Sequence, residues 1–219
     1  MQQKLMTFRE WLDFEVPISE MIVACVPESI MPSPSIMDSQ KLPIGMCRIL
    51  LPYLHEIADI PEDINSQTCL NGFNTASGNS IYQKQGLKAS PRYFFRQNLE
   101  ANGFLNRYKR LVNCNSCGSR SAERKRSYIK DTFDHKFIAS PFGRWKEAYR
   151  TYEAFYCKSI PILINDDFLK EKYEGLPTLW TWDYSECTED YLLEEYEKIL
   201  DMTFDFGKLL ISHFSTLQQ

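Results

Sequence analysis

Between residues 91 and 215 the chain changes hydrophobic period at short, regular intervals. "PRYFFRQNLEANG" has helical spacing, with Pro91 in its first turn and Gly103 as its stop. "YKRLVNC" then reads as a strand, "NSCGSRS" as a loop, "AERKRSYIKDTF" as a helix and "HKFIAS" as a strand. The turn "PFG" leads to a helix from Lys146 to Cys157 and to the apolar strand "IPILIN". Helix and loop follow in "DDFLKEKYEGLP", a short strand in "TLWTWD", and one or two closing helices in "TEDYLLEEYEKILDMTFDFGKLLISHF". Strands alternating with helices over connections of a few residues predict βαβ units on a mostly parallel sheet. The expected fold is therefore α/β, with residues 90–219 forming a Rossmann-like domain.

Residues 1–89 are less regular and are expected to form a short, separate amino-terminal region. "MIVACV" (21–26) looks like a buried strand and "PESIMPSPSIMDSQKLP" like a proline-punctuated loop. "GMCRILLPYLHEIADI" has helical spacing at Ile49, Leu50, Leu54 and Ile57, and Pro52 predicts a kink or a late start. The Asn-, Ser- and Gly-rich stretch that follows holds at most one short strand, near Cys69 to Phe73.

The 219 residues are 43% hydrophobic and 25% charged, the make-up of a globular protein able to bury a core. No run approaches the ~18 apolar residues of a membrane span, and the first residues carry charges at Lys4, Arg9, Glu10 and Asp13. Seven cysteines without framework spacing suit reduced thiols, so a cytoplasmic location is expected. The net charge of −4 hides a segregation. Residues 91–130 hold ten Lys or Arg against two acids, and residues 165–205 hold thirteen acids against three lysines. Two complementary faces of one domain or an anion site in the basic part would each explain this.

In a parallel sheet, ligands sit at the carboxyl ends of the strands, where helix amino-termini also point. Ser140-Pro141-Phe142-Gly143 is expected there, Gly143 admitting a phosphate close to the backbone and Ser140 offering a hydroxyl. On the following helix, Tyr149, Tyr152, Phe155 and Tyr156 share one face, Glu153 lies at its edge and Arg150 farther round. Arg150 and Glu153 are either a surface ion pair or part of the site. Arg92 and Arg96, early in the first helix of the domain, are further diphosphate candidates. Cys114 and Cys117 form a lone CxxC with no second pair, which favours free thiols and predicts no metal site. Arg124-Lys125-Arg126 reads as a solvated helix face, and a sequence pI near 5.5 argues against a general nucleic-acid binder.

Four short motifs in order, Ser140-Pro141-Phe142-Gly143, Arg150-Thr151-Tyr152-Glu153-Ala154, Ser159-Ile160-Pro161-Ile162 and Gly175-Leu176-Pro177, resemble the carboxyl-terminal half of exostosin-like glycosyltransferases. The resemblance covers roughly residues 90–200 and implies a GT-B-like half that binds a nucleotide sugar, a UDP- or GDP-sugar, without an obligatory metal or other cofactor. It implies that Glu153 takes the ribose hydroxyls, that Arg150 serves the diphosphate or positions other groups, and that the acceptor is a glycan, a glycoprotein or another hydroxyl compound. A hexosyl- or pentosyltransferase working with inversion also needs a base, for which Asp38 and His55 are available. Lys158 stands where the family pattern has glycine, so a different helix end is expected. Ninety irregular residues are short for an acceptor half, which is minimal, supplied by another chain (a homo-oligomer included) or not contained in this sequence. A nucleotide-sugar-binding module without an acceptor half is the alternative, and nucleic-acid binding by residues 91–130 is a third.

Overall fold

The computed structural model describes residues 4–23, 45–47, 50–56, 65–73, 91–105, 122–142 and 146–215. Strand β1 (Leu5–Thr7) runs into helix α1 (Phe8–Asp13), and α2 spans Leu51–Glu56. The repeating part contains β2 (Gln67–Leu70), α3 (Pro91–Ala101), α4 (Ala122–Phe133) and β3 (His135–Ala139). It continues through α5 (Tyr149–Tyr156), β4 (Ile160–Ile164), α6 (Asp167–Tyr173) and β5 (Leu179–Thr181). Helix α7 (Glu189–Leu200), β6 (Thr203–Asp205), a 3-10 turn at Phe206–Leu209 and α8 (Ile211–Ser215) follow.

Strands β2, β3, β4 and β5 form an all-parallel sheet in that order, the Rossmann-like α/β arrangement expected from the alternating pattern. Sequential order with right-handed crossovers puts the connecting helices on one face. Leu70 and Ile138 accordingly pack with Ala154 of α5. One residue earlier on β3, Phe137 points to the opposite face and meets Tyr196 of α7, ring centroids 6.0 Å apart. With both faces covered, β4 can be apolar at every position from Ile160 to Ile164, and all five residues are buried. Local chemistry sets the helix starts. Thr7 and Glu10 form a reciprocal capping box on α1, Asp166 caps α6 through the Phe168 and Leu169 amides, and Thr188 caps α7.

The amino-terminal elements are built into the same core. β1 pairs antiparallel with β6, from Leu5 opposite Asp205 to Thr7 opposite Thr203. Trp11 is fully buried, stacked on Phe206 with ring centroids 4.2 Å apart, and its indole N–H donates to the Phe155 carbonyl at 3.2 Å. The expected boundary at 89/90 falls outside the described residues, and the elements on either side of it share one hydrophobic cluster and one sheet. It marks a change in sequence regularity, not a division of the core. The remaining amino-terminal expectations are partly met. Pro52 stands in the first turn of α2, a late start. "MIVACV" contributes isolated bridges at Met21 and Val23, and its last residues lie outside the described ones. The "YKRLVNC" strand and Cys114-Cys117 also lie outside them. Among the described residues, no helix is long and apolar enough to cross a membrane.

Lys158 corrects the expectation of a different helix end. Its φ is +64°, in the left-handed region that favours glycine. Lys158 N–H donates to the Phe155 carbonyl and Ser159 N–H to the Ala154 carbonyl, the two bonds of a Schellman closure. The backbone therefore does what a glycine would do, and the side chain compensates for the strain. Its ammonium donates to the carbonyl of Trp11 at 2.9 Å and to that of Phe14, and lies over the Trp11 ring 4.0 Å from its centroid. Trp11 and the end of α5 thus hold each other by bonds in both directions.

Burial pushes the Lys158 ammonium down from 10.5 to about 7, with Cys157 and Asp13 opposing the shift. A lysine depressed in the folded state contributes stability that is present above its unfolded value and lost as pH falls through its folded value. Lys158→Met keeps a side chain on the same strained backbone but removes the titration. The urea midpoint of the wild-type protein minus that of Lys158→Met is expected to rise from about pH 7 toward about pH 10.5, the folded and unfolded values. A flat difference would show that the lysine does not titrate in this window.

Candidate functional site

Each strand of a parallel sheet ends at the same edge, and here those ends carry the polar groups. β2 finishes at Leu70 and continues through Asn71, Gly72 and Phe73, and β3 finishes at Ala139 before Ser140. Arg150, in the first turn of α5, reaches across and donates from a terminal nitrogen to the Gly72 carbonyl at 2.9 Å. Arg96 of α3 donates to the next strand-end carbonyl, that of Phe73. Arg92, one turn earlier on α3, stands over the Phe73 ring with its guanidinium carbon 5.3 Å from the centroid. Three arginines from two helices therefore gather at the end of β2. Their proximity is felt electrostatically: burial lowers the Arg96 pKa, Glu100 opposes this and the Arg150 charge adds to it.

Glu153, one turn beyond Arg150, is only 5% exposed, so it is not half of a surface ion pair. Its carboxylate accepts a 2.6 Å hydrogen bond from the hydroxyl of Tyr128 on α4. The same hydroxyl oxygen accepts from Arg150 Nε at 3.4 Å, and the guanidinium carbon lies 5.9 Å from the Tyr128 ring centroid. Burial, then the Glu153 carboxylate, pushes the Tyr128 phenol well above its ordinary pKa, so it stays protonated and donates. Tyr128 was not singled out in the sequence, where it reads as one apolar position of an amphipathic helix.

The other sequence-predicted residues divide as follows. Ser140 sits at the carboxyl edge as expected, but it is buried, its hydroxyl 3.0 Å from that of Thr151 and its N–H bonded to the Ile162 carbonyl. In this structure the hydroxyl ties the strand end to α5. Gly143 and Asp38 lie outside the described residues, as does the side chain of His55 on α2. The basic triplet is not wholly a solvated face, because Lys125 is buried with its ammonium 5.5 Å from the Tyr53 ring centroid. Among the described residues, no group of three or more metal-ligating side chains comes together.

Two further features hold the edge rigid. Tyr184, fully buried with φ +67°, donates to the Ile162 carbonyl at 2.9 Å, and its ring meets those of Phe73 and Phe95. On the segment entering α5, buried Glu147 accepts from the hydroxyls of Tyr152 at 3.1 Å and Tyr173 at 2.8 Å. It also pairs with Lys172 at 2.7 Å, a contact in which both side chains are nearly enclosed. This cluster anchors the start of the helix that presents Arg150 and Glu153.

No protein-family model matches the chain, and no curated protein matches it at a significant level. Fold and residue chemistry therefore carry the functional reading.

The Glu147 cluster generates a stability test. Glu147→Leu leaves the Lys172 ammonium enclosed without its carboxylate and is expected to lower stability by about 3–5 kcal/mol. Lys146→Ala removes the more exposed pair with Asp166, seen at 2.9 Å, together with a contact over the Phe168 ring, and should change stability by at most about 1 kcal/mol. Urea unfolding of both variants measures the contrast, and equal effects would mean the Glu147 cluster is no anchor.

Proposed function

We propose that the protein is a glycosyltransferase that moves a sugar from a nucleoside diphosphate to a hydroxyl of a glycan or other acceptor. The observation that carries this reading is the gathering of Arg150, Arg96 and Arg92 at the carboxyl end of β2, with the buried Glu153 carboxylate linked to Arg150 through the Tyr128 hydroxyl. They belong to a sequence run holding four exostosin-like motifs in order. In the transfer, the acceptor oxygen forms a bond to the anomeric carbon while the bond from that carbon to the diphosphate oxygen breaks. The diphosphate leaves with the electron pair, and the acceptor proton goes to a base.

The arginines answer the charge that develops on the leaving diphosphate. A guanidinium offers a planar fork of donors that matches phosphate oxygens, and such bonds gain strength in a site that excludes water. An ionised carboxylate only accepts, which suits Glu153 to the two hydroxyl donors of a ribose. The phosphate ligands in this reading are cationic side chains and backbone amides, so no metal is required to hold the donor.

A second reading has an observation of its own. Strand β1 and helix α1 pack around Trp11 and Lys158, before the first residue of β4 and so at the pole of the sheet opposite the arginines. That favours a nucleotide-sugar-binding module whose acceptor half is supplied elsewhere. Release of free nucleoside diphosphate from UDP- or GDP-sugars in the presence of glycan acceptors separates the enzyme from the module.

UDP or GDP is expected to bind equally well with EDTA and with added Mg²⁺ or Mn²⁺. Calorimetry under both conditions checks this, and strict dependence on either ion would overturn the metal-independent reading. Glu153→Gln is expected to weaken nucleotide binding by about 1.5–3 kcal/mol, the worth of a charged hydrogen bond. Glutamine keeps a carbonyl acceptor for Tyr128, so the loss should appear in Kd rather than in the urea midpoint. An unchanged Kd would remove Glu153 from the site.

A further inference from the structure

Both proposed nucleotide ligands of α5 meet at the hydroxyl of Tyr128. It belongs to a different helix, α4, and is buried, so no solvent competes for its bonds. A phenol has a single proton, and the 2.6 Å contact with Glu153, an acceptor, commits that proton to the carboxylate. The oxygen's lone pairs then remain for Arg150 Nε at 3.4 Å, while a terminal nitrogen of the same guanidinium is held by the Gly72 carbonyl. Donation from a cation into a hydroxyl makes that hydroxyl a better donor in turn, so the two bonds strengthen each other.

We propose that Tyr128 is a positioning residue that couples the diphosphate-holding arginine, Arg150, to the ribose-holding carboxylate, Glu153. The inference rests on the nucleotide reading of this site. A phosphate that draws Arg150 toward itself alters the bond into the phenol oxygen, and the phenol passes that change to Glu153. One end of the nucleotide is thereby sensed at the other through a single hydroxyl, with no movement of backbone. A tyrosine that only fills space between α4 and α5 would transmit nothing, and phenylalanine would serve as well.

The test is a double-mutant cycle on UDP affinity, with Glu153→Gln and Arg150→Lys singly and together, run with Tyr128 intact and with Tyr128→Phe. With Tyr128 the effects of the two substitutions are expected to depart from independence by about threefold or more, as for residues in one hydrogen-bond network. In the Tyr128→Phe background the departure is expected to fall to near unity, and Tyr128→Phe alone should weaken UDP by about tenfold. As a second measurement, replacement of Tyr128 by 3-fluorotyrosine keeps the hydroxyl, and its fluorine resonance is expected to shift when UDP binds. UDP binding with the same coupling in both backgrounds, or with an unmoved fluorine resonance, overturns the role of Tyr128 and leaves the nucleotide reading standing. Failure of the wild-type protein to bind UDP or GDP at all overturns both.

Discussion

A parallel sheet that stops leaves its last carbonyls without a neighbouring strand to satisfy them, and buried carbonyls must find donors. That constraint organises the chemistry of this protein. The carbonyls of Gly72 and Phe73, just past the end of β2, are met by guanidinium groups of Arg150 and Arg96. Where the donors are arginines, satisfying the backbone also concentrates positive charge at one edge. The anion affinity we attribute to this edge is thus a by-product of finishing the sheet with cationic rather than neutral donors. Glu153 and Tyr128 extend the same network one layer inward.

The opposite pole solves the same problem with different residues. The Trp11 and Phe14 carbonyls at the end of α1 are taken by Lys158, and the Phe155 carbonyl at the end of α5 is taken by Trp11. Lys158 also gives its own carbonyl to the Asn65 side chain, at 3.2 Å, tying in the segment that leads to β2. Helix α5 is therefore gripped at both ends, by Glu147 and its tyrosines before its first turn and by Trp11 and Lys158 after its last. Between those grips the side chains of Arg150 and Glu153 are held by packing on both sides rather than by their own conformational preference. A site built this way loses little entropy when a ligand arrives.

The sequence was most legible where period and length agree. The helix from Ala122 to Phe133, the strand after it and the long helix from Glu189 stand where the hydrophobic pattern puts them. The helical wheel set Glu153 on the border of the packed face, and in the structure every residue from Thr151 to Tyr156 is buried, Glu153 included. Legibility failed for short elements and for distant partners. β1 and β6 have three residues each, too few for a period, and their pairing joins residues about two hundred positions apart. Ser140 stands at the strand end where the sequence put it, but the partner of its hydroxyl, Thr151 across a turn, could not be read from the sequence. Tyr128 was invisible because a tyrosine on an apolar stripe gives no sign of what its hydroxyl touches. Lys158 shows that a residue other than glycine can hold a left-handed helix end when its side chain finds partners that offset the strain.

The reciprocal lock between Trp11 and the end of α5 decides where this protein can be cut. A fragment starting near residue 90 would retain most of the sheet's helices but lose β2, β1 and the indole that fills the space above Phe206. Loss of a buried tryptophan alone costs about 3–5 kcal/mol, a large share of the stability of an average domain. The strained backbone at Lys158 would remain, now without the carbonyls that make it tolerable. The half that carries the candidate site is therefore not a portable module: grafted or expressed by itself, it would lack the first strand of its own sheet and the wedge that holds its central helix in place.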